Sequence, residues 1–264
     1  MTKMTKKTKK TKKTKKTKNW NRRSSGAGAA RFAATALTAL LAVLTAGAAP
    51  APAAAPAVDA KAGPSGTGFD FGACPAVAEL PAGAEPGTWR CEVMHATGRL
   101  RIGGVDEPIE RPMTVTFAEG RVDGAYAQVF GEMTAEPIRV GGTPLTLTPQ
   151  YGGYSDFEAD DVRRGELDLT LAVGGPLLPE GCAIGGAATE PVHLVLKDTR
   201  PTEVISEDPL MVSFGAADTG FAVPGTDGCG RLGGRILDRV LGLPAPAGEN
   251  ALELDATVAI RPYA

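Results

Sequence analysis

Four cysteines, Cys74, Cys91, Cys182 and Cys229, are the residues here whose chemistry is most tightly bounded. Their number is even, no C-x-x-C pair occurs, and His95 and His193 are the only histidines, so a zinc cluster finds no ligand set. Disulfides are the expected chemistry. Of three connectivities, proximity along the chain favours Cys74–Cys91 and Cys182–Cys229. Closing loops of those lengths would stabilise by about 3 and about 4 kcal/mol on the chain-entropy view.

Carboxylates form the next cluster. Asp156, Glu158, Asp160 and Asp161 lie in SDFEADD, after the YGGY segment. Alternate acids in a loop are the raw material of a calcium site, since that ion takes six to eight oxygens. The EF-hand pattern fails, because Asp161 stands where glycine is needed and Leu167 where glutamate is needed. The competing reading is a solvated loop before a strand. Tyr151 and Tyr154, with Phe157, are the one dense aromatic group and the candidate binding patch. A G-x-G-x-x-G match at Gly228, Gly230 and Gly233 precedes a helical pattern, but Pro224-Gly225-Thr226-Asp227 stands where a dinucleotide site needs a strand. Its middle residue is also a disulfide candidate, so the glycines read as turn chemistry. Neither histidine lies in a nucleophile signature, and no G-x-S-x-G surrounds Ser155, Ser206 or Ser213. A carboxylate pair could still do hydrolytic work, but with thirty acids the sequence picks none. No catalytic residue is assigned.

The elements that must position these groups begin after a leader. Residues 1–31 hold ten lysines, three arginines and no acid; Phe32 to Ala46 is apolar, and Ala46-Gly47-Ala48 follows. That order describes a secretory signal peptide over 1–48, with Ala55-Pro56-Ala57 as a second cleavage site. Ser24-Ser25-Gly26 after Arg22-Arg23 lacks the apolar residue of a twin-arginine signal, which favours the general route. The run is too short for a comfortable bilayer span, so no membrane span is expected after processing. Residues 49–69 read as a disordered Ala/Pro/Gly-rich linker and 70–264 as the folded domain, with a candidate seam near 174–180. Taking the thirteen leader charges from the 28 basic residues leaves fifteen against thirty acids, a net near −15. Such a surface argues against nucleic acid as a partner and leaves an extracellular or cell-wall partner of unknown kind.

Period-two alternation marks strands at Glu166 to Val173, Val192 to Lys197 and Ala251 to Arg261. Weaker runs cover Trp89 to Ala96, Arg99 to Ile102, Met113 to Phe117, Tyr126 to Phe130, Leu145 to Thr148 and Leu210 to Phe214. Ala118-Glu119-Gly120 reads as a hairpin turn. Leu232, Ile236, Leu237, Val240 and Leu241 make one apolar stripe of a short helix, closed by Gly242 and Pro244. The expected fold is all-β, a sandwich or partly open barrel with one short C-terminal helix.

FAVPGTDGCG (Phe221 to Gly230), LGLPAPAGENAL (Leu241 to Leu252), LLPEGCAIG (Leu177 to Gly185) and PVHLVLKDTRPT (Pro191 to Thr202) together resemble a group of secreted actinobacterial proteins with paired cysteines. The resemblance spans Cys74 to the end. It implies export and disulfides, and it carries no activity. The expected function is therefore a secreted, non-catalytic binding or structural module. The alternatives are a carrier of an apolar molecule in a barrel closed by the 232–243 helix, and a carboxylate- or metal-dependent hydrolase.

Overall fold

Inward apolar residues at every second position set the architecture. In the computed structural model, residues 68–160 and 162–264 are described, and the leader and most of the linker lie outside them. Eleven strands follow: β1 (Arg90–Ile102), β2 (Val105–Val122), β3 (Ala125–Thr134), β4 (Ile138–Arg139), β5 (Thr146–Asp156), β6 (Gly165–Gly174), β7 (Ala183–Ile184), β8 (Val192–Glu207), β9 (Leu210–Asp218), β10 (Thr226–Asp227) and β11 (Ala251–Pro262). One helix, α1 (Arg231–Leu241), precedes β11. All pairings are antiparallel. The all-β expectation holds.

The main path of the sheet runs β10-β7-β6-β8-β9-β11-β1-β2-β3, with β5 on the other edge of β6. Strand β8 is the corner. Its first residues, Val192 to Leu196, pair with β6, and Lys197 to Glu207 pair with β9. The path curls until β3 faces β5, where side chains bridge a gap that backbone hydrogen bonds leave open. Phe130 stacks on Tyr151 with ring centroids 3.7 Å apart, and Gln128 Nε2 donates to Ser155 Oγ at 2.7 Å. The result is a partly open barrel.

The lumen is apolar through most of its length. Met94, Val115, Leu169, Leu194, Leu254 and Ala256 are among its buried residues. The inward sets read from β6, β8 and β11 lie in this core. Outside the barrel, Phe69 packs on Val93 and Ala259, and the Cys74–Cys91 disulfide ties that N-terminal segment to β1. Tyr263 Oη, just past β11, donates to the Pro75 carbonyl at 2.6 Å and adds a second tie on the segment.

Helix α1 sits at the end of the barrel where β1 turns into β2. The Gly104 amide donates to the Leu241 carbonyl at 2.8 Å. Gly103 has φ +52°, and a Cβ there would lie 2.4 Å from the Leu241 oxygen, so only glycine lets the turn meet the helix. Asn250, 2 % exposed, accepts from the Gly103 amide and donates to the carbonyls of Phe221 and Pro246. The helix ends as expected, with Gly242 left-handed. Its apolar stripe is corrected. Leu237 and Leu241 are buried, but Leu232, Ile236 and Val240 are 77 %, 63 % and 50 % exposed.

The Cys182–Cys229 disulfide holds the start of this helix against the segment before β7. Gly228 has φ +70°, and a Cβ there would lie 2.3 Å from the Gly181 carbonyl oxygen. The glycine-rich motif is thus the backbone geometry of a disulfide crossing. One further expectation changes. Ala118-Glu119-Gly120 is mid-strand in β2, and the turn falls at Asp123-Gly124, both with positive φ. Gly120 is there because a Cβ would lie 2.6 Å from the Trp89 ring.

Candidate functional site at the barrel mouth

The opposite end of the barrel differs from the plugged end. Here β1 begins, β2 ends and β11 ends, and the inward parity of β1 and β2 delivers charged side chains. Inward positions Met113, Val115 and Phe117 of β2 are followed by Glu119, and Ala96 and Met94 of β1 are preceded by Glu92 and Arg90. Tyr126 at the start of β3 joins them. These groups line a cavity of about 620 Å³ together with Phe117, Phe157, Val212, Phe214, Val258 and Ile260. That size is in the range of small-molecule sites, and the lining mixes apolar side chains with charged and polar ones in similar measure.

Glu92 is 8 % exposed and Glu119 is 9 % exposed. Both take the same guanidinium. Arg90 Nε donates to Glu92 Oε1 at 2.6 Å, and Arg90 Nη2 donates to Glu119 Oε1. The Tyr126 hydroxyl lies 3.0 Å from Glu119 Oε2 and 3.2 Å from Gln128 Oε1. Burial, and then the charge of Glu119, push the Glu92 carboxyl up to about 7 against the pull of Arg90. Burial and the same glutamate hold the Tyr126 phenol well above its ordinary value. At the rim, Arg164 lies over the Phe214 ring at 4.6 Å and pairs with Asp198 through two bonds of 2.6 Å. A buried carboxyl that titrates near neutrality inside a cavity is the kind of group functional sites hold.

The sequence-derived candidates are placed as follows. Tyr151, Tyr154 and Phe157 do not form one patch, because β5 sends them to different places. Tyr151 stacks on Phe130, whereas Tyr154 is exposed and donates to Glu166 Oε2 at 3.1 Å. Phe157 packs on Phe117 with centroids 4.7 Å apart and is the one member that lines the mouth. Of the calcium candidates, Asp156 and Asp160 pair with Arg163, which also binds Glu166; Glu158 is exposed on the rim, and Asp161 lies outside the described residues. Arginine supplies the counter-charge that a cation would otherwise give, and among the described residues no group of three or more ligands has metal-holding geometry. His193 is half-exposed on the outer sheet face, with Nδ1 2.7 Å from Asp168 Oδ1. His95 stacks on Phe69 at 4.1 Å, and burial lowers its pKa.

Arg90, Glu92, Glu119 and Tyr126 were not singled out by the sequence reading. A signal was present. Glu92 shares the inward parity of Met94 and Ala96, and Glu119 that of Val115 and Phe117. A charge on the apolar face of a strand is the anomaly to look for. The helix at 232–243 contributes nothing to the cavity lining, so the pocket is not closed by it. No helix among the described residues is long and apolar enough to cross a membrane. Comparison of the chain with protein-family models, curated proteins and solved structures gives no match.

Proposed function

We propose that this protein is a secreted, non-catalytic binding module that seats a small molecule in the open mouth of its barrel. The observation that carries the reading is the cavity of about 620 Å³, lined by aromatic and aliphatic side chains and by buried Glu92 and Glu119, which share the partly exposed Arg90 guanidinium. The apolar part of the lining supplies affinity by removing area from water, and the charged and polar part orients what binds. The helix serves as the plug of the other end rather than as a lid. Two disulfides suit an oxidising, extracellular setting. Export with removal of residues 1–48, and kinship with secreted actinobacterial proteins, belong to the same proposal. Mass analysis of culture medium should then find a chain that starts near Ala49 or Val58.

Native mass spectrometry of the secreted protein tests the binding role. The expected result is a retained small molecule on the wild type that is lost in Val212→Trp, which fills the mouth from β9. Retention that Val212→Trp leaves unchanged would place the ligand elsewhere. A calcium adduct removed by chelator, with a fall in Tm, would favour a metal-bearing module instead. The second reading is a hydrolase. It draws on Glu92, because a carboxyl held near 7 beside another carboxyl suits general acid work. Turnover of nitrophenyl glycosides, abolished by both Glu92→Gln and Glu119→Gln, would favour it.

A further inference from the structure

Resting on the reading of the mouth as a binding site, we propose that its ligand carries an organic cation, an alkylated or protonated amine, that docks against Glu92 and Glu119. The charge balance of the inner shelf carries this. Two buried carboxyls share a single guanidinium, with Arg90 Nε on Glu92 and Nη2 on Glu119. Among the described residues Arg90 is the side-chain donor to Glu92, through Oε1; the Glu92 and Glu119 carboxyls lie within hydrogen-bond reach of each other, and the Tyr126 hydroxyl lies on Glu119 Oε2. With both carboxyls ionised the shelf carries one more negative charge than its guanidinium cancels, and a proton on Glu92 removes that excess.

The other charged groups of the lining do not reach it. Arg164 is committed to Asp198 and to the face of Phe214. Arg121 donates to the Gly124 carbonyl at the exposed rim, where Glu158 also lines the opening. An entering anion would add to the surplus, and a neutral head would leave it in place. A cation cancels it, and the rings of Phe117 and Phe157 add the attraction that aromatic faces have for cations. Burial, and then the charge of Glu119, are why Glu92 binds a proton so readily. A cation that takes its place expels that proton, so affinity rises as the pH passes upward through neutrality.

Isothermal titration with three single-chain probes below their micelle concentrations separates the possibilities: octyltrimethylammonium, octyl sulfate and octyl glucoside. The expected result is that octyltrimethylammonium binds roughly tenfold or more tightly than the other two. Its affinity should rise from pH 6 to pH 8, and its advantage should collapse in Glu92→Gln and in Glu119→Gln. The ranking of probes on the wild type is informative even if one variant fails to fold. Octyl sulfate or octyl glucoside binding as tightly, or an advantage that survives both substitutions, would overturn the cation assignment. If in that event Val212→Trp weakens all three probes, the mouth remains a binding site and only the ligand class falls. No binding of any probe to the wild type overturns both.

Discussion

Glu92 shows how far a single residue can carry the account. Its carboxyl is raised from an ordinary value near 4.5 to about 7, first by burial and then by Glu119. The folded protein therefore keeps a proton that the unfolded chain gives up above 4.5. The stability that this proton contributes is complete below that value and is lost as pH rises through 7. The full difference is on the order of 3 kcal/mol. Glu92→Gln should match the wild type near pH 4 and exceed it in urea denaturation at pH 8, by about 1–3 kcal/mol. A variant equally or less stable at pH 8 would show that Arg90 compensates the burial in full. Residues of this kind were hard to read from the sequence because their meaning depends on parity. Glu119 looked like part of a turn between two runs because Gly120 follows it. The glycine is there to accommodate Trp89, and the strand runs on to Val122.

At the scale of elements, the strands were legible and their joins were not. Long alternations at β6, β8 and β11 announced themselves because one face is wholly apolar. Strand β1 was split into two runs because a register shift between Ala96 and Gly98 interrupts its pairing with β2. Strand β8 was cut short because residues beyond Leu196 are largely exposed and carry no alternation of burial. The helix pattern gave the right element and the wrong width of contact. Five apolar residues suggested a broad docked stripe, but α1 rests on Leu237 and Leu241 alone. Leu237→Ala should therefore cost about 2–5 kcal/mol, whereas Ile236→Lys, on the exposed side, should stay within about 0.5 kcal/mol. Chemical denaturation of both variants checks this, and a loss at Ile236 comparable to that at Leu237 would contradict the docking described. The two disulfides hold different elements. Cys182–Cys229 closes 47 residues and pins the helix start, so replacing both cysteines by serine should cost about 4 kcal/mol. Loss of Cys74–Cys91, which closes 17 residues, should cost about 3 kcal/mol and free the strap over β1 and β11. Hydrogen exchange should show the first change at α1 and the second along Phe69 to Trp89.

For the whole molecule, the two ends of the barrel are unlike. One is plugged by α1, Asn250 and the Gly103-Gly104 turn; the other is open and holds a shelf of buried charge. The sequence beyond residue 48 carries a net charge near −15, but that charge does not locate a site, since thirty acids are spread through it. The turn of the sheet through β8, and the facing of β3 and β5, put Glu92, Glu119, Tyr126 and Phe157 around one cavity from four separate stretches of chain. That convergence is a property of topology, and no local pattern contains it. The most direct test of the account is a methyl-labelled NMR titration with octyltrimethylammonium. The account predicts shifts at the methyls of Val212, Val258 and Ile260, around the mouth, with Leu237, Leu241 and Ile102 at the plugged end unmoved. Shifts confined to the helix end, with the mouth methyls silent, would contradict it.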